Sequence, residues 1–278
     1  MLLLFSIYVF CLGLIVGSFL NVVALRYNTG RSVGGRSHCF SCRKVLHWYE
    51  LIPLVSFMIQ GGRCRKCKSK LSWQYPLGEL VTALLFLGSF LHSVSIYGVM
   101  SLDSLTLSTL YLAIFTAILC FISSLLMVIL IYDVRHKIIP DKLSFLFALA
   151  SVGVILFQND LSWWRVLAGP IVALPFYLIW RFSDGRLMGL GDAKLMASIG
   201  WLLGLSGAVS AIVLAFWIAA AIAIPLLFLQ KVLPKMSLRY ARNKLTIKSE
   251  IPFAPFLILG MYLVLFFGLN VFPYVFTF

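Results

Sequence analysis

Long apolar runs separated by short polar stretches dominate the pattern of this sequence. An α-helix needs roughly 20 residues to cross about 30 Å of hydrocarbon, because each residue rises about 1.5 Å. The pattern predicts about eight such helices, two of them short, at residues 2–25, 77–97, 108–132, 142–158, 164–181, 190–205, 207–230 and 252–277. The expected fold class is therefore an all-α polytopic membrane protein.

Composition supports this class before any motif is considered. Hydrophobic residues make up 62% of the chain and charged residues 12%, with a mean hydropathy of +1.01. A soluble domain cannot bury so much apolar surface. Residues 2–25 have no basic segment before them and are long enough to span a bilayer, so we expect a retained first helix, not a removable signal peptide.

The net charge of +14 raises the question of nucleic-acid binding, but the basic residues lie in short stretches between apolar runs. That distribution is typical of the cytoplasmic loops of a membrane protein, and it makes nucleic acid the weaker interpretation. The loop 26–75 holds ten Lys and Arg residues and a single acid, Glu50, so we expect it to be cytoplasmic with the N-terminus outside. Alternating crossings then place the loops 133–141, 182–189 and 231–251 on the same inner side.

Four of the six cysteines lie in this basic loop, in the pairs Cys39-x-x-Cys42 and Cys64-x-x-Cys67. Two CxxC turns supply four thiolates, which is the donor set of a structural zinc site. Unliganded thiols or a redox role are the alternatives, and His38 and His47 are further possible ligands, although four cysteines already complete a tetrahedral shell. In the same loop the apolar run 51–59 is too short to span a bilayer, and we expect it to pack against the membrane surface or the loop's own core.

The chain contains only nine acidic residues, and two of them lie where apolar helices meet cytoplasmic loops. Asp133 ends the third predicted helix, and Asp192 begins the sixth in the sequence Gly189-Leu-Gly191-Asp192. Two carboxylates brought together can share one proton, so that one acts as base and the other as acid on a water that attacks a peptide carbonyl. The two glycines allow close approach of a peptide backbone. The alternative is that each aspartate caps a helix or pairs with a neighbouring basic residue.

Three further charged residues are candidates for a supporting role. Glu79 lies just inside the second predicted helix, where it is either functional or an interfacial carboxylate that reaches toward a cytoplasmic lysine. Lys194 either neutralises the surroundings of the aspartate pair or lies at the membrane surface. Glu50 is the only other acid of the first hundred residues. A transporter that uses these acids along an ion path is a rival hypothesis, but such acids are expected nearer the bilayer midplane. A membrane scaffold without chemistry is a second rival, but it would not need the glycines around Asp192.

The order of motifs resembles the bifunctional type IV prepilin peptidases, which are GxGD-type aspartic peptidases. The motifs that carry the resemblance, besides the two cysteine pairs, are Gly17-Ser-Phe-Leu-Asn21, Trp48-Tyr-Glu50-Leu-Ile-Pro53, Tyr75-Pro-Leu-Gly-Glu79, Ile139-Pro-Asp141 and Gly189-x-Gly191-Asp192-x-Lys194. The GxGD motif alone is shared with presenilin-like proteases, and the cysteine loop separates this chain from them.

The resemblance implies an endopeptidase of the bacterial inner membrane that removes the basic leader of type IV prepilins or pseudopilins at the cytoplasmic face. It assigns Asp133 and Asp192 to the catalytic pair. From their own positions, we expect Gly189, Gly191, Lys194, Glu79 and Glu50 to be supporting residues. It also implies methylation of the new N-terminus from S-adenosylmethionine by the cysteine-bearing region. The expected organisation is therefore residues 1–100 with the zinc loop and methyl transfer, and residues 101–278 as the peptidase domain.

Overall fold

The computed structural model describes residues 1–30, 32, 34–98, 107–158, 161–232 and 252–272. These residues form helices and connecting turns, and the described ranges contain no β-strand beyond two isolated bridges. The α-helices are α1 Leu2–Arg26, α2 Val55–Ile59, α3 Gln74–Tyr97, α4 Leu107–His136, α5 Asp141–Phe157, α6 Trp163–Ser183, α7 Leu190–Val232 and α8 Ala254–Phe267. A 3₁₀ turn, Trp48–Glu50, precedes α2. The predicted all-α class is confirmed.

Each of the eight predicted apolar segments overlaps a helix, although the last helix ends at Phe267. Within the described residues, five helical stretches are long and apolar enough to cross a membrane. They are α1, α3, α4, α6 and the part Leu190–Pro225 of α7. The sixth and seventh predicted segments both belong to α7, which is interrupted at Gly204, where φ is 76° and ψ is 179°. The chain is a multi-pass membrane protein. The basic loop 231–251 and the end of the last predicted segment lie largely or wholly outside the described residues.

The chain divides into two compact units, Met1–Tyr132 and Asp133–Phe278. In the first unit α1 packs along α3 at very short range. A Cβ on Gly13 would lie 2.6 Å from the Cα of Ala83, and one on Gly17 would lie 2.9 Å from the Cα of Glu79. Lipid offers no hydrophobic force to drive membrane helices together, so they associate through close van der Waals packing, and small residues allow this close approach. The loop that carries the cysteines is thus tethered at both ends to one tight helix pair.

In the second unit α5, α6 and α8 pack against α7. The core between them contains fully buried side chains such as Leu195, Met196 and Ile199 of α7. At the break in α7, the Nη2 of Arg165 donates a hydrogen bond to the carbonyl of Leu202 at 2.8 Å. A side chain from α6 therefore binds the backbone of α7 at the break.

Candidate active site and cysteine cluster

Asp133 lies in the last turn of α4. The helix ends at His136, and the N–H of Lys137 donates to the Asp133 carbonyl at 2.7 Å to close the turn. Pro140 then caps α5 in an extended conformation, as expected for a residue whose ring fixes φ and which has no N–H for a continuing helix. The carboxylate of Asp133 therefore has a defined position at a helix end.

The Asp133 side chain is buried, with 5% of its surface exposed. The backbone N–H of Ala254, the first residue of α8, approaches its carboxylate. A helix N-terminus presents free N–H groups and a partial positive charge, which suit a carboxylate. The Oδ2 of Asp133 is buried and has no hydrogen-bond partner among the residues described. The site therefore leaves one carboxylate oxygen uncommitted.

Asp192 lies in the first turn of α7 and is half-buried. Its N–H donates to the Gly189 carbonyl at 3.2 Å, and the Gly189 N–H approaches its carboxylate in return. This reciprocal capping holds the side chain at the start of the helix. Asp192 is close enough to Asp133 for the two carboxylates to interact electrostatically. The fold thus brings together the two aspartates that the sequence singled out, although they are 59 positions apart.

The glycines of the motif differ in what surrounds them. A Cβ on Gly189 would lie 3.6 Å from Oδ2 of Asp192, which is ordinary van der Waals contact. A Cβ on Gly191 would lie 2.7 Å from the Cβ of Ile139, a separation that real Cβ atoms do not adopt. The space beside Gly191 is therefore occupied by the segment that leads from α4 to α5. Gly189 is exposed, and the prediction that a substrate backbone approaches closely applies to this glycine.

Lys194 forms an ion pair with Asp141, with 2.6 Å between Nζ and Oδ1. Asp141 begins α5, so the pair ties the start of α5 to the start of α7. Both side chains are substantially exposed, and such pairs contribute about 1 kcal/mol or less to stability. Sequence reasoning singled out Lys194 but missed its partner. Asp141 lies two positions after Ile139, so the ion pair and the Gly191 contact join the same two segments.

Glu79 and Glu50 are both engaged inside the first unit. The Oε2 of Glu79 accepts a hydrogen bond from the N–H of Leu54 at 2.8 Å, and the side chain is buried. Glu50 is buried too, accepts the His47 N–H at 3.0 Å and pairs with Lys44 at 3.0 Å. These two contacts, the His47 N–H first, hold the pKa of Glu50 below its usual value. Both acids therefore support the fold of the loop, whatever else they do.

The four predicted cysteines form one cluster, with all four sulfurs within 4.8 Å of one another. The two CxxC turns have the same backbone pattern. The backbone of Cys39 accepts a hydrogen bond from Arg43 and donates to Lys44, while that of Cys64 accepts one from Lys68 and donates to Ser69, all at 2.9 Å. Tetrahedral zinc–sulfur bonds of about 2.3 Å imply sulfur–sulfur distances of about 3.8 Å, and the sulfurs of Cys39 and Cys67 are 3.8 Å apart.

The electrostatics of the cluster also suit a metal. The backbone of Cys42 donates to the Cys39 sulfur, and this is the main reason that the pKa of Cys39 falls to about 6. The Lys44 backbone lowers the pKa of Cys42, but burial and the neighbouring thiols outweigh it and raise that pKa to about 11. Thiolates, not thiols, are the metal ligands, so the pKa of Cys39 favours binding, and a metal would displace the proton of Cys42. Neither His38 nor His47 belongs to the cluster. The four cysteines therefore form a complete donor set for one metal ion.

Comparison with known proteins decides the family. Residues 11–93 match the family model described as Bacterial Peptidase A24 N-terminal domain, and residues 120–224 match the model described as Type IV leader peptidase family. A prepilin leader peptidase/N-methyltransferase of Bacillus subtilis is 33% identical over 196 residues, which cover 70% of this chain and 72% of the relative. The chain belongs to the type IV leader peptidase family.

Other relatives of this family carry the same name. The one from Myxococcus xanthus is 34% identical over 203 residues, which cover 71% of this chain and 56% of the longer relative. The one from Burkholderia pseudomallei is 27% identical over 288 residues, covering 92% of this chain and 84% of the relative. No solved structure matches the chain significantly. The resemblance inferred from the motifs is thus confirmed.

Proposed function

We propose that this leader peptidase cleaves the leader peptide of type IV prepilins with Asp133 and Asp192 as its catalytic pair, and then methylates the new N-terminus. The observation that carries the proposal is the electrostatic contact between these two carboxylates, each fixed at a helix end. The family match and the names of the relatives support both activities.

Two neighbouring carboxylates cannot both hold a negative charge at low cost, so the pair shares one proton. In our proposal the ionised member takes a proton from a water molecule, which attacks the scissile carbonyl. The protonated member then supplies a proton to the leaving amine. The uncommitted Oδ2 of Asp133 supports this assignment, because a carboxylate whose oxygens were all engaged would be poorly suited to exchange a proton.

The location of the reaction follows from the charges. The basic residues of the loop 26–75 favour its retention on the cytoplasmic side of the bacterial inner membrane, with the N-terminus outside. Alternating crossings then put the α4 and α7 ends that carry the aspartates on the cytoplasmic face. A basic prepilin or pseudopilin leader is retained on that face for the same electrostatic reason.

For methyl transfer, the donor S-adenosylmethionine carries a positive sulfonium, and the acceptor amine must lose its proton before it attacks. Glu79 and Glu50 are the only acids of residues 1–100. Glu79 is the better candidate base, because its partners are the Leu54 N–H and the Ser18 hydroxyl, whereas Glu50 is paired with Lys44. Cys39, Cys42, Cys64 and Cys67 would hold a zinc ion, which supplies a structural cross-link between the two turns.

The decisive experiment incubates the purified protein with a prepilin and S-adenosylmethionine and measures the mass of the product's N-terminus. The proposal predicts loss of the leader and the addition of one methyl group. Asp133→Asn and Asp192→Asn should each leave the prepilin uncleaved. Cleavage by either variant at the rate of the parent would remove the aspartates from the mechanism.

A further inference from the structure

The loop between α1 and α3 carries a group of apolar side chains that are exposed to the surroundings. This group, the apolar face, consists of Trp48, Ile52, Val55, Met58, Ile59 and Trp73. Its most exposed members are Trp48 at 78%, Met58 at 77% and Ile59 and Trp73 at 70% each. Residues 51–59 contain no charged side chain. Val55, Met58 and Ile59 share one side of α2, because they are three and four residues apart. Soluble surfaces rarely expose so many large apolar residues in one loop, so such a group marks an interaction site.

A hydrogen bond sets the depth of this face relative to the membrane helices. The N–H of Leu54, directly before α2, donates to Glu79 of α3 at 2.8 Å. Glu79 is five residues inward from Gln74, where α3 begins, which corresponds to about 7.5 Å along the helix. Residues 53–55 therefore lie beside the first turns of α3, not above its end.

The length of α3 relates this depth to the bilayer. Its 24 residues extend over about 36 Å, some 6 Å more than the hydrocarbon core of about 30 Å. With that excess divided between two ends, Glu79 lies close to the boundary between headgroups and acyl chains. The contact with α1 places Glu79 no nearer the surface. Asn21, five residues before the end of α1 at Arg26, donates to the Tyr75 carbonyl near the start of α3 at 3.2 Å.

The segment is held at this depth at a conformational cost. Leu54 has φ 58° and ψ −51°, a region that side-chain-bearing residues seldom occupy. Such strain persists only where surrounding contacts impose it. The buried Glu79 carboxylate supplies one of those contacts, and the ring of Phe57 on α2 packs against Trp73 at a centroid distance of 5.0 Å. The apolar face is thus a built feature and not a loosely tethered loop.

Positive charge adjoins the apolar face. Arg63, Arg65, Lys66, Lys68 and Lys70 are all exposed. The guanidinium of Arg65 lies 5.2 Å from the ring centroid of Tyr49, which ties this basic stretch to the 3₁₀ turn that carries Trp48. Apolar side chains with aromatic residues and adjacent cations are the composition of an element that lies in a membrane interface with anionic lipids.

We propose that the apolar face is a monotopic membrane element, embedded in the same leaflet that α1 and α3 enter, with the neighbouring basic residues on anionic headgroups. Trp48 and Trp73 lie at the interface, and Met58 and Ile59 reach the acyl chains. The bilayer is the occupant that the depth of Leu54 favours, because a soluble partner has no access to a surface at the level of Glu79. This membrane contact is additional to the proposed catalysis and does not depend on it.

The experiment places the photoreactive residue p-benzoylphenylalanine at Met58 of the full-length protein, in nanodiscs that contain phosphatidylglycerol and a radiolabelled phospholipid. Ile15, near the middle of α1 and 62% exposed, is the bilayer-facing positive control. Phe40, also 71% exposed but on the first cysteine turn, is the matched control for an exposed aromatic position outside the apolar face. All three positions are exposed, so the replacement does not disturb packing.

We expect light-induced lipid adducts at Met58 comparable with those at Ile15 and several-fold above those at Phe40. Adducts at Met58 no more abundant than at Phe40 would overturn the proposal. Replacement of lipid adducts by adducts to an added prepilin would overturn it as well, because the face would then be a substrate-docking surface. With the probe at Lys66, a radiolabelled zwitterionic lipid should give less labelling than a radiolabelled anionic one, and equal labelling would overturn the headgroup contact.

Discussion

Replacing Gly191 by alanine tests whether the contact between α7 and the segment after α4 sets the geometry of the aspartate pair. The new Cβ would lie 2.7 Å from the Cβ of Ile139. Apolar carbons rest at about 3.5–4.0 Å, so the two segments must separate by about 1 Å. Asp192 is the next residue after Gly191, and Ile139 follows Asp133 by six positions, so this separation moves the two carboxylates relative to each other.

The expected consequence is larger for catalysis than for stability. Overpacking of this kind costs about 1–3 kcal/mol in stability. A displacement of about 1 Å in a catalytic pair lowers the rate by up to about 100-fold. Gly191→Ala should therefore yield folded, membrane-inserted protein with strongly reduced prepilin cleavage. The assay measures the cleavage rate at saturating prepilin together with the thermal unfolding of the same preparation.

Gly153→Ala is the matched control, because Gly153 also lies within a helix and a Cβ at this position would meet nothing within 4 Å. This variant should cleave at the parental rate. Ile139→Ala in the Gly191→Ala background removes side-chain atoms at 3.2 and 3.3 Å but keeps the Cβ at 2.7 Å, so it should restore activity only in part. Full cleavage by Gly191→Ala itself would refute the inferred role of this contact.

Three further predictions concern the carboxylates and the metal. Asp133→Asn and Asp192→Asn should each abolish cleavage, because an amide cannot exchange the proton. Asp141→Asn should be much milder, because it removes only an exposed ion pair, and gel analysis of prepilin processing distinguishes the two outcomes. Elemental analysis of the purified protein should find about one zinc per chain, and Cys→Ser at any cysteine of the cluster should lower this zinc content. Parent protein that is purified without chelators and contains no zinc would contradict the prediction. Glu79→Gln keeps an oxygen for the Leu54 N–H but removes the proposed base, so the product mass should lack one methyl group while cleavage persists. Glu50→Gln should have the same effect more weakly. Loss of cleavage in Glu79→Gln would instead assign Glu79 to the fold or the peptidase site.

The hydrophobic pattern by itself determined the helices of this leader peptidase, since the length and apolarity needed to cross a membrane are local properties of the chain. Even the interruption of α7 was visible, as the break between the sixth and seventh predicted segments falls within two residues of Gly204. The cysteine cluster was equally accessible. Each CxxC pair forms its own turn, and only the meeting of the two turns depends on the rest of the loop.

The choice of Asp133 and Asp192 among nine acids came from their positions at helix ends, which the pattern of apolar residues defines. What lies against them depended on packing between helices distant in sequence. Ala254 beside Asp133, Ile139 beside Gly191 and Asp141 beside Lys194 are contacts of this kind.

The same limit applies to the cysteine loop. Its charge and apolar run were evident from the sequence, but the anchoring of Leu54 to Glu79 and the resulting depth of the apolar face were not. Local sequence sets which backbone groups are paired within a helix, because those partners are four residues away. Which side chains meet across helices depends on crossing angle and register, and these follow from the close packing of all the helices together. For that physical reason the elements and the candidate acids were readable from the chain alone, and the surroundings of each were decided only by the tertiary structure.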